Sequence, residues 1–256
     1  MRKVRLVIFM VQLLLFAGFG SCAYAKVQNY KVRVVNEYPH DVTSYTQGLF
    51  FNNGLLYEST GLEGKSTFRV VDLETGKAER RFDFSDKYFV EGSVIMGGDL
   101  FILTWQNHVA FVYDAVTLKY KATYSYPREG WGLTTDGNLL IASDGSSDLY
   151  FMDGKFNVKR KIPVRMDGHP INYLNELEYI DGKIFANVYL TDLILIINPD
   201  SGKVEGTIDC KGLLPSNLRT KDTDVLNGIA YDRKSGKLYL TGKNWPRLYE
   251  VRLIEK

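Results

Sequence analysis

The apolar residues of this chain come in short runs separated by polar turns. An apolar run at residues 48–51 is followed by a turn at 52–54 and a second apolar run at 55–59. The turn ends in Asn53-Gly54, and such a pair between apolar runs predicts a hairpin because glycine accepts a positive φ. Similar alternation continues to the last residues, and no long amphipathic helix is visible. The pattern therefore predicts an all-β chain of short antiparallel strands.

One phrase recurs five times along this pattern. It consists of a polar or aromatic residue, then usually glycine, then mostly an apolar residue. The first positions of successive phrases are 44, 40, 44 and 52 residues apart. A repeat of this length made of short strands is typical of a β-propeller. The phrases are Gln47-Gly48-Leu49, Glu91-Gly92-Ser93, Trp131-Gly132-Leu133, Asn175-Glu176-Leu177 and Asn227-Gly228-Ile229.

The repeats predict a five-bladed β-propeller with four-stranded antiparallel blades. The inner strands are apolar, whereas segments such as 78–84 and 119–125 are polar, as expected of outer edge strands. After the fifth phrase only about three strands remain, and the segment 27–37 is a strand without a blade of its own. We expect this N-terminal strand to complete the last blade and close the ring.

The repeat geometry also predicts a site. In a propeller the first strand of each blade lines the central channel, so the leading residues of the phrases should converge. A second aligned set follows each second strand and should form the rim of the channel above them. Aromatic walls with a few polar groups at the floor are typical of a small-ligand pocket. The floor candidates are Gln47, Glu91, Trp131 and Asn175, and the rim candidates are Trp105, Tyr189, Lys243 and Trp245.

The N-terminus is typical of an export signal. A basic start at residues 2–5 precedes a nearly apolar stretch at 6–20, which is shorter than a membrane span, and Ala23-Tyr24-Ala25 fits a cleavage site. We therefore interpret residues 1–25 as a signal peptide and 26–256 as one domain. In a second interpretation, Gly20-Ser21-Cys22 ends a lipoprotein signal and Cys22 is lipidated.

Either signal sends the protein out of the cytoplasm, to the periplasm or the medium, or to a membrane through a lipid at Cys22. In either case Cys22 is not available as a disulfide partner and Cys210 is left alone, so the fold does not depend on disulfides. The net charge of +2 does not indicate nucleic-acid binding. The three histidines, His40, His108 and His169, are too scattered to suggest a metal trio. We expect neither a catalytic metal nor a cofactor.

Longer motifs surround several of these positions. They are Tyr45-Thr46-Gln47-Gly48-Leu49, Tyr57-Glu58-Ser59-Thr60-Gly61, Glu91-Gly92, Leu103-Thr104-Trp105, Gly130-Trp131-Gly132-Leu133, Leu174-Asn175-Glu176-Leu177-Glu178 and Thr241-Gly242-Lys243-Asn244-Trp245-Pro246. With these motifs the chain resembles a known family, the glutaminyl-peptide cyclotransferases of plants and bacteria, which are five-bladed propellers unrelated to the zinc-dependent animal enzyme. The resemblance covers about residues 45–253, nearly the whole mature chain.

The resemblance implies an enzyme that converts the N-terminal glutamine of peptides to pyroglutamate and releases ammonia. It implies that Glu91 transfers the proton and that Trp105 and Trp131 enclose the substrate. Gln47, Asn175 and Lys243 would be its polar partners. Many members carry tryptophan where this chain has Tyr189, which keeps an aromatic wall and adds a hydroxyl. We expect a monomer without membrane contact, unless Cys22 is lipidated.

The reaction itself is consistent with these residues. It joins the α-amine to the side-chain carboxamide of one residue, so a single carboxylate between the two nitrogens can move the proton. Glu91 is the only carboxylate among the leading residues. Lys243 or the amides of Gln47 and Asn175 could stabilise the oxyanion. No covalent nucleophile is needed, and no Gly-x-Ser-x-Gly motif is present.

Two other functions fit the same scaffold. A non-catalytic propeller could bind a ligand or peptide in the pocket, because fold alone does not decide function. A metal-dependent lactonase would need carboxylate and amide ligands at the centre, and the single carboxylate Glu91 falls short of this. Asn227 is expected to have a structural role, and Glu176 and Glu178 are expected to tie blades together.

Overall fold

The structure, a computed structural model, describes residues 27–256. Within this range the chain is all-β, with 22 strands and one short 3₁₀ helix at Ser216–Leu218. In the same range no helix has the length and apolar character needed to cross a bilayer. The predicted signal at residues 1–25, including Cys22, lies outside the described residues.

The strands form antiparallel sheets in chain order, apart from one strand that returns from the N-terminus. That strand is β1 (Gln28–Pro39). The first four-stranded sheet contains β2 (Thr46–Asn52), β3 (Leu55–Thr60), β4 (Thr67–Val71) and β5 (Ala78–Asp83). The second contains β6 (Val90–Met96), β7 (Asp99–Thr104), β8 (Val109–Asp114) and β9 (Tyr120–Ser125). The third contains β10 (Leu133–Thr135), β11 (Leu140–Ala142), β12 (Asp148–Met152) and β13 (Val158–Pro163).

A small hairpin precedes the remaining strands, which form one eight-stranded sheet. The hairpin pairs β14 (Arg165–Met166) with β15 (His169–Pro170). The next four strands are β16 (Leu174–Ile180), β17 (Lys183–Val188), β18 (Leu193–Ile197) and β19 (Val204–Asp209). The last three are β20 (Leu226–Asp232), β21 (Lys237–Gly242) and β22 (Arg247–Glu255). The order in the sheet is β16-β17-β18-β19-β1-β22-β21-β20.

Strand β1 joins the two halves of this sheet. It runs antiparallel to β22, with Tyr30 opposite Glu255 and Pro39 opposite Arg247, and parallel to β19. The pairing with β22 is the one that the sequence predicted for the N-terminal strand. The sequence contained no signal for the parallel contact with β19.

The first strands of the sheets lie next to one another around the centre. β2 contacts both β6 and β20, β10 contacts both β6 and β16, and β16 contacts β20. Inner strands such as β2 are mostly buried, whereas the outer strand β5 is exposed. Clusters of buried apolar side chains fill the spaces between neighbouring sheets, as where Phe68 of one sheet packs with Leu100 and Ile102 of the next. The all-β prediction is confirmed.

Glycine at the second position of the phrases allows the first strands to approach closely. A Cβ atom on Gly92 would lie 2.4 Å from the Leu133 nitrogen, and one on Gly132 would lie 2.0 Å from the Asn175 carbonyl oxygen. Neither distance is possible for a real side chain, so any larger residue would push the strands apart. The repeated glycine therefore follows from close packing at the centre.

Candidate active site

β-Bulges place the leading residues of the phrases. The antiparallel register shifts between Thr46 and Gly48, between Val90 and Ser93, and between Leu174 and Leu177. A bulge adds a residue to one strand and redirects its side chain. Gln47, Glu91 and Asn175 lie inside these shifts and line the same pocket.

The pocket has a volume of about 300 Å³ at one end of the ring of first strands. All seven residues predicted as the site line it, together with two that were not predicted, Tyr45 and Phe89. The structure therefore brings together side chains that are up to about 200 positions apart in sequence, as β-propellers do. The lining residues are Tyr45, Gln47, Phe89, Glu91, Trp105, Trp131, Asn175, Tyr189 and Lys243.

A chain of hydrogen bonds orients Glu91. Asn227 Nδ2 donates to the Thr46 carbonyl oxygen at 2.9 Å and to Gln47 Oε1 at 3.3 Å. Gln47 Nε2 in turn donates to Glu91 Oε1 at 3.0 Å. Because the amide oxygen of Gln47 accepts from Asn227, the amide nitrogen of Gln47 points at the carboxyl group of Glu91. Asn227 thus has the structural role expected from the sequence.

Burial dominates the electrostatics of Glu91. Only 5% of the residue is exposed, and burial raises its pKa well above the ordinary value. The charge of Lys243 lowers the pKa of Glu91 in part, and the charge of Glu129 adds to the rise. A carboxyl group shifted in this direction can hold a proton closer to neutral pH, as a general acid or base requires.

Lys243 lies between two aromatic rings. Its Nζ is 4.6 Å from the centre of the Tyr45 ring and 5.1 Å from that of Tyr189. Burial lowers the pKa of Lys243, while the charges of Glu91 and Asp224 raise it in part. The hydroxyl of Tyr45 donates to Asp224 Oδ2 at 2.9 Å, which fixes one of the two rings. Cation–π contacts of this kind hold an ammonium group in place without neutralising it.

Aromatic side chains form the rest of the wall. Trp131 meets Tyr189 edge to face at 5.6 Å, and Trp105 meets Phe89 in the same manner at 5.5 Å. Both indole nitrogens donate to one carboxylate oxygen, Glu129 Oε2, at 2.9 Å from Trp105 and 3.0 Å from Trp131.

Asn175 contributes an unused acceptor. The residue is buried, and among the described residues its Oδ1 has no hydrogen-bond partner. An unpaired amide oxygen in a pocket is costly unless a ligand supplies a donor. An N–H group of a bound molecule would satisfy it.

Two expectations about neighbouring residues had different outcomes. Trp245 does not lie on the rim. It is 1% exposed, packs against Tyr249 and donates from Nε1 to the Asp224 carbonyl oxygen, because the loop folds its indole under Gly242. Glu176 and Glu178 of β16 do link neighbouring first strands, because they accept from backbone N–H groups of Leu49 on β2 and of Ile229 and Tyr231 on β20.

The residues missed by sequence analysis had weak signals. Tyr45 and Phe89 stand two positions before the leading residues Gln47 and Glu91, outside the phrases themselves. Glu129 stands two positions before Trp131, in the connection between β9 and β10. No grouping of three His, Cys, Asp or Glu side chains that could hold a metal ion occurs in residues 27–256.

Comparison with known proteins places this pocket in a family. The family model for glutamine cyclotransferase matches residues 7–253. The chain belongs to the glutamine cyclotransferase family. The family resemblance seen in the sequence is therefore confirmed, and with it the expectation that the chain is an enzyme.

Two relatives support the assignment to the glutamine cyclotransferases. Glutaminyl-peptide cyclotransferase of Arabidopsis thaliana is 45% identical over 230 residues, which are 87% of this chain and 71% of that protein. The crystal structure of Myxococcus xanthus glutaminyl cyclase is similar with a TM-score of 0.85 and 33% identity. That match covers 90% of this chain and all of the other, so this glutamine cyclotransferase shares its whole fold with the Myxococcus protein.

Proposed function

We propose that this protein is a glutaminyl-peptide cyclotransferase, which converts the N-terminal glutamine of a peptide to pyroglutamate and releases ammonia. The observation that carries the proposal is the environment of Glu91. Among the residues that line the aromatic pocket, Glu91 is the one carboxyl group. It is buried, its pKa is raised, it accepts a hydrogen bond from Gln47, and the charge of Lys243 acts on it. The names of the two relatives support the same activity.

The first task of the pocket is to bend the substrate. The α-nitrogen must approach the side-chain carboxamide carbon of the same residue, so the glutamine must adopt a ring-like conformation. Trp105, Trp131 and Tyr189 form walls that favour a compact side chain over an extended one. Holding such a near-attack geometry accounts for several kcal/mol of the barrier, in principle up to about 7–11 kcal/mol.

The second task is to move one proton. The α-nitrogen attacks the carboxamide carbon, a new C–N bond forms, and the old C–N bond breaks. In our proposal Glu91 accepts the proton that the α-nitrogen loses and delivers it to the departing nitrogen, which leaves as ammonia. The carboxyl group ends in the state in which it began, so the cycle needs no further acid or base.

The other polar groups stabilise charge during these steps. The carboxamide oxygen becomes negative in the tetrahedral intermediate, and the positive charge of Lys243 lines the same pocket as Glu91 and acts on it. We assign Lys243 to this oxygen. The unpaired Oδ1 of Asn175 would accept an N–H group of the substrate.

We further propose that residues 26–256 form a single five-bladed propeller that works as a monomer. The contacts among the first strands β2, β6, β10, β16 and β20 close into a ring, which supports five blades. The eight-stranded sheet divides into two blades at its one parallel pair, between β19 and β1. All pocket residues come from one chain, so no second copy is needed to complete the site.

We also propose that the protein is exported, on the basis of its N-terminal pattern. Mass spectrometry of the mature protein tests this. An unmodified start at Lys26 supports cleavage after Ala25, a lipidated start at Cys22 supports membrane anchoring, and an intact N-terminus contradicts both.

The activity is tested with a short peptide that begins with glutamine. Incubation with the purified protein should release ammonia and lower the peptide mass by one NH₃. The same peptide with an acetylated N-terminus is the control, because its nitrogen cannot attack. No mass loss from the free peptide, in a folded sample, would contradict the proposal and favour a binding propeller.

A further inference from the structure

One carboxylate outside the pocket anchors two of its walls. Glu129 does not line the pocket, yet its Oε2 receives N–H groups from both Trp105 and Trp131, and its Oε1 receives Gln106 Nε2 at 3.0 Å. Each indole nitrogen has only one donor hydrogen. Both indoles therefore direct their donor at the same atom.

This anchor joins side chains from different sheets. Trp105 follows β7 of the second sheet, whereas Trp131 precedes β10 of the third. Through Glu129 the edge-to-face pairs Phe89–Trp105 and Trp131–Tyr189 become one continuous arc around the pocket. The spacing of the arc is then set by a single carboxylate.

The geometry around the arc leaves little freedom for Trp131. A Cβ atom on Gly145 would lie 2.6 Å from Trp131 Cζ2, so the ring lies flat against the backbone of Gly145. A Cβ atom on Gly130 would lie 2.6 Å from the Thr104 carbonyl oxygen, so the connection that carries Glu129 lies tightly against the end of β7. Gly145 thus brings the backbone against the Trp131 ring, and Gly130 brings the segment that carries Glu129 against the end of β7.

We propose that Glu129 is a positioning residue of the cyclisation, which holds the Trp105 and Trp131 rings at the separation that a folded N-terminal glutamine requires. This inference rests on the proposed function. It adds a role for a residue that touches the substrate only through the two indoles.

The charge of Glu129 has a second effect. Burial acts to raise the pKa of Glu129, but hydrogen bonds from Trp131, Gln106 and Trp105 outweigh burial and the pKa falls below its ordinary value. His108 nearby acts in the same direction. Glu129 therefore stays ionised at neutral pH, and its charge helps to keep the pKa of Glu91 high, against Lys243.

The test compares Glu129→Gln with the wild type and with Glu63→Gln. Glutamine keeps the size but removes the charge: its neutral amide oxygen accepts more weakly from the two indoles, and its NH₂ group then meets the Gln106 donor. Glu63 is an exposed glutamate in the loop after β3, which corresponds to the loop that carries Trp105. We expect kcat/KM of Glu129→Gln to fall about 10- to 100-fold, because misplaced walls spoil the near-attack geometry. Glu63→Gln should match the wild type.

Two further measurements exclude a merely structural role. Trp105 and Trp131 are two of three tryptophans, so the emission maximum and acrylamide quenching of the substrate-free Glu129→Gln protein should change. When kcat/KM of this variant is measured against pH, the acid limb should move to lower pH. The reason is that Glu91 loses a neighbouring negative charge, which lowers its pKa. Besides Glu129, the charge of Lys243 acts on Glu91. The hydroxyls of Tyr45 and Tyr189 are the other titratable groups coupled to Glu91.

The outcomes separate the two proposals. An inactive wild type would contradict the proposed function. Tryptophan emission and acrylamide quenching would still report whether Glu129 holds the indoles. Unchanged kcat/KM, or unchanged emission and quenching, in folded Glu129→Gln overturns the positioning role. If that variant does not fold, Gln106→Ala replaces it. Gln106 is exposed, and its loss should give smaller changes of the same sign; no change would again overturn the role.

Discussion

At the scale of single residues, Glu91 differs from the buried Glu176 and Glu178 because it lines the aromatic pocket. It is buried, its carboxyl group accepts a hydrogen bond from Gln47, and its pKa is raised because burial outweighs Lys243. A carboxyl group in such a place weakens the folded state at neutral pH. Its presence at the floor of a pocket therefore indicates a role in chemistry.

Glu91→Gln should abolish turnover while leaving the fold intact. Glutamine keeps the oxygen that accepts from Gln47 but cannot exchange a proton, so kcat should fall by about 10²–10⁴-fold. Steady-state ammonia release measures the loss. Turnover within a few-fold of the wild type would move the proton transfer to another group.

The same substitution should also alter the pH dependence of stability. The pKa of Glu91 is higher in the folded than in the unfolded chain, so its protonation stabilises the fold below about pH 4.5. This stabilisation is lost as the pH rises through the folded pKa. Glu91→Gln has no such loss, and its melting temperature at pH 8 should equal or exceed that of the wild type. A clearly lower value would show that the carboxylate has a structural role.

At the scale of elements, β16 departs from the other first strands. Where all four other phrases have glycine at the second position, β16 has Glu176. Its oxygens accept from the backbone N–H groups of Leu49 at 3.2 Å and Ile229 at 2.9 Å. Two positions later, Glu178 accepts from Tyr231 at 3.1 Å and from the Thr134 hydroxyl at 3.4 Å. Strand β16 thus joins its neighbours through side chains.

The two glutamates of β16 provide a matched pair of substitutions. Glu176→Gln places an NH₂ group against a backbone N–H donor, which should lower the free energy of unfolding by about 1–3 kcal/mol. Glu178→Gln can keep its oxygen towards Tyr231 and donate to the Thr134 hydroxyl, so its cost should be small. Urea denaturation at pH 7 measures both. Equal losses for the two variants would contradict this account of the bonds.

The raised pKa of Glu178 also predicts how the stability of the Glu178→Gln variant changes with pH. Burial raises the pKa of Glu178 to about 8, above its ordinary value of 4.5. Its protonation therefore stabilises the fold at low pH, and that contribution is lost between pH 4.5 and about 8. Relative to the wild type, Glu178→Gln should gain stability as the pH rises through this window. A constant difference across it would contradict the shift.

The sequence predicted the parts of the site that repeat and missed those that do not. Gln47, Glu91 and Asn175 recur at one place in each repeat, so their convergence follows from the fold. Glu129 and Phe89 lie just outside the phrases, and their contacts depend on how connections cross between sheets. Trp245 is predicted on the rim because it belongs to the aligned set that follows the second strands, but a left-handed residue, Asn244 with φ of 58°, turns the indole inward.

At the scale of the whole molecule, β1 and β22 hold the ring closed. Leu248, Tyr249 and Val251 of β22 are buried in the apolar clusters on either side of the last sheet. Each buried side chain of this kind contributes about 1.5–3 kcal/mol. The net free energy of unfolding of a domain is about 5–15 kcal/mol, so we expect that the domain does not fold without this strand.

Removal of residues 247–256 should therefore prevent folding. The truncated chain exposes one edge of β21 and leaves β1 without its antiparallel partner. We expect no cooperative melting transition in circular dichroism, and mostly insoluble protein. Removal of Lys256 alone is the control and should leave melting nearly unchanged. A soluble truncated protein with a sharp transition would show that closure is not essential.

The position of β22 has a consequence for the newly made chain. A ribosome adds this strand after every other strand of the ring, so β1 waits for its partner through the whole of synthesis. Lys243 and the loop that holds Asp224 also emerge late, which leaves the pocket without its cation until then. A nascent chain that already carries Glu91 and both indoles still lacks the cation and the closing strand of the proposed site. We therefore expect no turnover before Lys243 and β22 have been made.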